Sequence, residues 1–168
     1  MGATSNKPEG MPGERAMFTA DIEIIAHSPL GKTPAGQKIV SMLRLYAGQN
    51  NITYGDTQGD RAAVDSQITV NKDYYGNLCK TVAALVHEAS HAVWRAAHPI
   101  RKGYPESLSE AVDNELYAET NELIMYQWLK DTKKLCQPDP ELDLRLDRKA
   151  RGTLKSTIEA RERESRGQ

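Results

Sequence analysis

The chain contains only two cysteines, Cys79 and Cys136, among its 168 residues. That is too few for the disulfide framework of a small secreted scaffold, and they lie too far apart for a Cys-x-x-Cys metal or redox pair. Two free thiols are therefore the simpler expectation, with a single disulfide as the alternative. Long apolar runs are also missing. Nothing approaches the roughly 18 to 20 consecutive apolar residues that a membrane span requires, and the residues up to Met17 lack the apolar centre of a secretory signal, so a cytoplasmic protein is expected. The opening Met1-Gly2 has Asn6 where a myristoylation signal wants Ser or Thr, which gives no support for a lipid anchor. An excess of one charge is absent as well. Against 23 acidic side chains stand 22 basic ones, for a formal net charge of -1, and such a balance supplies no field for nucleic acid or an anionic membrane. Neither is expected as a partner.

What the chain does have fits one soluble domain. The apolar share is 39%, or about 46% once the 12 glycines are added, which is the ordinary range for a globular fold of this length. Residues 1–15, rich in Pro and Gly, bury too little to offset their ordering entropy and read as a flexible tail. The domain is expected over 16–160, followed by a charged tail over 161–168. Inside it, Phe18, Ile22, Ile24 and Ile25 fit either a helix or a strand over Ala16 to Ala26, with helix the preferred reading. The spacing of Ile39, Met42, Leu43 and Tyr46 predicts a second helix that Gly48 ends. Short β-branched runs at Ile52 to Tyr54 and Ser66 to Val70 read as strands, with Ile68 and Val70 on one face. Beyond Pro138 the recurrence of Leu142, Leu146, Ala150, Leu154 and Ile158 predicts one more amphipathic helix running through Gly152.

His87-Glu88-Ala89-Ser90-His91 lies inside the apolar stretch from Leu78 to Ala97. On a helix the two histidines are about 40° apart around the axis and one turn apart along it, so both imidazoles can reach one metal ion. Glu88, displaced by about 100°, can lean over an open coordination position and take a proton from water there. Val82, Leu85, Val86, Ala89 and Val93 occupy the far side and anchor the helix. His98 falls on the histidine face but about 10 Å beyond His91 along the axis, too far to share a metal with His87; next to Pro99 it reads as a cap or cleft-edge residue.

A catalytic zinc needs a third protein ligand and an open fourth position. The following helix, expected to start at Ser107 with Glu110 closing a capping box and to run to about Lys130, supplies candidates. Leu108, Ala111, Glu115, Glu119, Glu122, Tyr126 and Leu129 share a stripe within about 40° of Glu115. Carboxylates within an apolar stripe demand a cation or strong donors. Glu115 and Glu119, one turn apart, can act together. Glu122 is a lesser ligand candidate, two turns below Glu115, and solvation of all three is the bland alternative.

With Asn114-Glu115-Leu116-Tyr117-Ala118-Glu119 downstream, the H-E-x-x-H resembles the gluzincin branch of zinc metallopeptidases, whose next helix carries N-E-x-x-A-[DE]. The likeness covers roughly Ile52 to Lys130 and is similar in outline to small bacterial metallopeptidase domains. It implies an α+β, mostly helical fold: a minimal zincin-like domain with a short β-sheet, an active-site helix and a following helix carrying the third ligand. It further implies one Zn²⁺ per chain on His87, His91 and Glu115, with Glu119 as the carboxylate that hydrogen-bonds a ligating histidine. Trp94 and Ala97 occupy the Gly and His positions of the metzincin motif, and Asn77-Leu78-Cys79-Lys80 has no likeness to the peptide deformylase segment; both families are set aside.

The expected activity is hydrolysis of a polypeptide by metal-activated water with Glu88 as general base, an extended substrate pairing along the strand near Ser66 to Asn71. Tyr104 and His98, between the two zinc helices, are the candidates for an oxyanion donor or cleft residue, and Trp94 is a candidate cleft wall. The alternative is a zincin-fold binding or regulatory module that keeps the metal site without turnover. A metal-free helical scaffold, with the histidines paired to Glu115 and Glu119, is a further possibility.

Overall fold

Apolar residues three and four apart dictate most of the architecture. The computed structural model describes residues 10–57, 67–133 and 136–168. Its elements are helices α1 (Glu14–His27) and α2 (Pro34–Gly48), strands β1 (Ile52–Gly55) and β2 (Ile68–Asn71), and helices α3 (Leu78–Ala97), α4 (Leu108–Trp128), α5 (Pro140–Ala150) and α6 (Leu154–Ser165). The fold is α+β and mostly helical.

In α1, Phe18, Ile22 and Ile25 turn one face inward. Part of the expected tail is tied down ahead of it: the Glu14 carboxylate accepts from the backbone N–H groups of Gly10, Met11 and Tyr54, at 3.4, 3.1 and 3.0 Å. Residues 10–15 thereby belong to the domain, and the rest of the expected tail, 1–9, lies outside the described residues. Thr33 caps α2 by accepting from Gly36 N–H, with Pro34 at the first turn, where its missing N–H is harmless. Reversal after α2 takes place at Asn50, φ 56°, two residues beyond the Gly48 expected to end it.

The strands pair in parallel, Ile52 opposite Ile68 and Gly55 opposite Asn71. Ile52, Tyr54, Ile68 and Val70 point into the core, as period-two alternation requires. Parallel neighbours need a crossover of a dozen or so residues rather than a tight turn, and 12 residues separate Gly55 from Ile68 in the sequence. Ser66, the expected start of the second strand, lies outside the described residues, and β2 begins at Ile68.

Helix α3 is capped by Asn77, which accepts from Lys80 N–H at 3.1 Å, and every residue from Thr81 to Ser90 is buried. One side, with Val82, Leu85, Val86, Ala89 and Val93, packs with α1, α2 and the sheet. The other meets α4, whose start has the expected capping box between Ser107 and Glu110. The two form an antiparallel hairpin, and a short π-helical turn, Leu129–Lys133, extends α4.

Three expectations are corrected. Cys79 and Cys136 are disulfide-bonded, Cα to Cα 5.5 Å, rather than two free thiols. Folding brings together positions that lie 57 apart in sequence, a proximity that spacing alone does not reveal. Secondly, the recurrence from Leu142 to Ile158 is two helices. Gly152, φ 73°, adopts the left-handed conformation that ends α5, and α6 starts two residues later. Finally, the C-terminal segment is no tail. Helix α6 continues to Ser165, and the Arg166 guanidinium donates to the carbonyls of Glu106 and Ser107. Leu142, Leu154 and Ile158 bury against Leu123 and Tyr126 of α4 as a second apolar cluster. None of the described helices is long and apolar enough to cross a membrane.

Candidate metal centre

The α3–α4 hairpin brings His87, His91 and Glu115 together, their ligand atoms all within 4.8 Å of one another. His87 Nε2 lies 3.0 Å from His91 Nε2, His91 Nε2 3.0 Å from Glu115 Oε1, and His87 Nε2 3.7 Å from Glu115 Oε2. Tetrahedral ligands held about 2.0–2.1 Å from one ion are about 3.3–3.4 Å apart; the three separations straddle that spacing, and the donor set fits a small divalent cation.

Which ring nitrogens are available follows from their other contacts. His87 Nδ1 donates to Glu122 Oε2 at 2.6 Å and His91 Nδ1 to Asn114 Oδ1 at 2.7 Å. With the hydrogens on the Nδ1 atoms, both Nε2 lone pairs face the shared point, the tautomer a metal-binding histidine adopts. Two lone pairs and a carboxylate converging at a partly buried place repel one another unless a cation, proton or metal, sits among them.

The protonation balance is consistent with that demand. Burial works against a charged His87 ring, but Glu122, Glu115 and Glu88 outweigh it and raise the pKa to about 9. Burial likewise opposes charge on Glu115, yet the hydrogen bond from His91 and the nearby His87 and Arg161 hold its carboxyl down at about 2. Two protonated rings would set N–H groups face to face at 3.0 Å, so the acids favour one positive charge shared between the histidines. Glu88, 4% exposed, makes no hydrogen bond or ion pair among the described residues. Burial raises its pKa to about 7, against the pull of both histidines.

Glu119 does not hold a ligating histidine. It lies at the back of the site, where its carboxylate accepts from Arg161 of α6 at 3.1 Å and faces Arg145 of α5 at 3.4 Å. Burial raises its pKa, with Arg161 opposing. The role expected of it falls to Glu122, and antiparallel packing explains why. Moving one turn back along α3, from His91 to His87, corresponds to moving two turns forward along α4, from Asn114 to Glu122. A helical wheel of α4 alone cannot reveal that register. In the sequence Asn114 stands out only as part of the motif and Arg161 only as part of the charged tail; the places of Arg145 and Arg161 are recognisable only once α5 and α6 fold back on α4.

His98 and Tyr104 are not brought to the triad. His98 caps α3, its ring stacking on Trp94 at 3.8 Å and its Nδ1 bonded to the Trp94 carbonyl, while Tyr104 is 71% exposed. Trp94 instead walls an open groove of about 790 Å³ with Met42, Leu45, Val93 and Tyr117, and no triad residue lines it. Compared with known proteins, the chain matches no family model, no curated protein and no solved structure.

Proposed function

We propose that the chain is a zinc-dependent peptidase in which His87, His91 and Glu115 hold the ion and Glu88 is the general base. The observation that carries this reading is the convergence of two Nε2 atoms and one carboxylate at a partly buried place, with the buried Glu88 on the same helix turn as His87. The donor set suits zinc, since two imidazoles and a carboxylate leave one tetrahedral position open. Bound there, zinc would supply Lewis acidity toward a water molecule and a peptide carbonyl.

The chain's own residues divide the remaining work. Glu122 and Asn114 fix the orientation of the rings through the Nδ1 hydrogens, which keeps the Nε2 atoms aimed at one point. Glu88 takes up a proton at a carboxylate oxygen and gives it to the leaving nitrogen. Without metal, burial raises its carboxyl toward neutrality; a bound cation would draw it back down and keep Glu88 ionised, ready to accept the proton. Among the described residues β2 pairs only with β1, leaving its other edge for an extended polypeptide to join by strand addition. The gluzincin likeness of the two motifs favours the same assignment of Glu88 and Glu115.

The test is metal content of the purified protein alongside cleavage of a peptide library with and without chelator. About one zinc per chain is expected, with chelator-sensitive cleavage. Glu88→Gln should keep the metal and lower cleavage by about 10²- to 10⁴-fold, and Glu115→Ala should weaken zinc binding strongly. Undiminished cleavage by Glu88→Gln would overturn the assigned base. Zinc binding without any cleavage would leave the binding-module alternative.

A further inference from the structure

The basic groups behind the triad, Arg145 and Arg161, come from α5 and α6, helices that neither motif includes. Arg145 of α5 is 5% exposed, and its Nη1 lies 3.4 Å from Glu119 Oε1 and 3.5 Å from Glu122 Oε2. That Glu122 oxygen is the one that accepts the His87 Nδ1 hydrogen at 2.6 Å. Guanidinium, carboxylate and imidazole thus meet at a single atom. The other end of the guanidinium, Nη2, is fixed by Glu141 one turn earlier on α5. A half-exposed partner, Arg161 of α6, approaches Glu119 at 3.1 Å and Glu115 Oε2 at 3.9 Å.

Nη1 of Arg145 is buried and makes no hydrogen bond. A buried donor left without a partner is unfavourable, and burying a cation against two carboxylates contributes little net stability compared with an apolar packing of the same volume. The arrangement makes more sense through what it does to Glu122. A carboxylate on a flexible side chain orients an imidazole only if its own position is held, and the ion pair from buried Arg145, 3.5 Å from Glu122 Oε2, is a contact that can hold it.

The geometry points to Arg145 as a positioning residue of the metal centre, acting through Glu122 on His87 and making α5 part of the site. This rests on the metal-holding part of the proposed function but not on peptide hydrolysis. Metal affinity should therefore depend on a residue that touches no ligand of the ion, and zinc binding should tighten the docking of α5, because linkage is reciprocal.

The experiment is zinc affinity by chelator competition, with the visible spectrum of the Co²⁺ form, for the full-length wild type, Arg145→Met and Arg145→Lys. Loss of a partner behind a ligand typically weakens metal binding about 10- to 100-fold. Arg145→Met, which keeps packing volume, should show about a tenfold loss and an altered Co²⁺ spectrum, and Arg145→Lys should restore part of the affinity. Wild-type affinity and spectrum in a folded Arg145→Met protein would overturn the inference. Should Arg145→Met fail to fold, amide hydrogen exchange of the wild type decides. Zinc should slow exchange across Pro140–Ala150, and unchanged rates there would refute the link. Absence of zinc binding by the wild type removes this inference and the proposed function together. Zinc binding without cleavage removes the peptidase reading alone, leaving Arg145 to be judged by the affinities.

Discussion

The two sides of the α3–α4 hairpin are held by different forces. Toward α1, α2 and the sheet the contacts are apolar, with Ile25, Ile39, Leu43, Ile68 and Leu85 fully buried. Toward α5 and α6 a smaller apolar cluster is joined by ion pairs from Arg145 and Arg161 to Glu119, Glu122 and Glu115. Apolar packing is non-directional and tolerates small shifts in register, whereas an ion pair specifies which residue meets which. The apolar side thus supplies stability, and the ionic side aims the side chains around the candidate metal centre.

The sharpest way to break this contrast is to cut into the apolar side away from the site. Leu43→Ala, at a fully buried position in α2, should destabilise the fold by about 3 kcal/mol, and by the same amount with and without zinc. Urea unfolding of both forms checks this; a penalty much larger with zinc than without would mean that the two sides are not separable.

Asp21 is, with Glu14, one of two acids of α1 that are buried on the apolar side. It is 6% exposed on the inward face of α1, and burial raises its pKa to about 7 from an ordinary 3.8. The folded chain consequently holds a proton that the unfolded chain has released. Stability should fall as pH rises between those values, the full deficit being reached above about 7. Between pH 5 and pH 8 this residue should account for a loss of about 2–3 kcal/mol. In Asp21→Asn the stability lost between the two pH values should be smaller than in the wild type by that amount, as unfolding free energies of the two proteins would reveal.

The smallest effect belongs to the ionic side. The Tyr126 hydroxyl donates to Asp143 at 3.0 Å and accepts from the Asp139 N–H at 3.4 Å. Tyr126→Phe keeps the ring in the core and should lower stability by about 1 kcal/mol. A loss of several kcal/mol would show that polar contacts here contribute to stability as much as apolar ones do.

The same contrast explains how much could be read in advance. Helices α1 to α4, the core faces of both strands, and the caps at Ser107 and His98 follow from local spacing and local chemistry. That Glu115 is the residue joining His87 and His91 follows instead from the resemblance of the two motifs to gluzincins, the wheel of α4 alone leaving Glu115, Glu119 and Glu122 as candidates. Glu122 and Asn114 depend on how two helices slide past each other, a distance set by packing rather than by either helix alone. The break at Gly152 was hidden because the apolar recurrence of Leu142, Leu146, Ala150, Leu154 and Ile158 happens to continue across it. Arg145 and Arg161 sit among many charged neighbours, and nothing local marks them out.

The bond between Cys79 and Cys136 encloses both ligand-bearing helices in one covalent ring, while the connection between them from His98 to Pro105 is exposed throughout. A trypsin cut after Arg101 or Lys102 would leave the two histidines on one fragment and Glu115 on the other, still tethered through sulfur. On a non-reducing gel such a nicked molecule would migrate as a single species, and its halves would part only after thiol treatment.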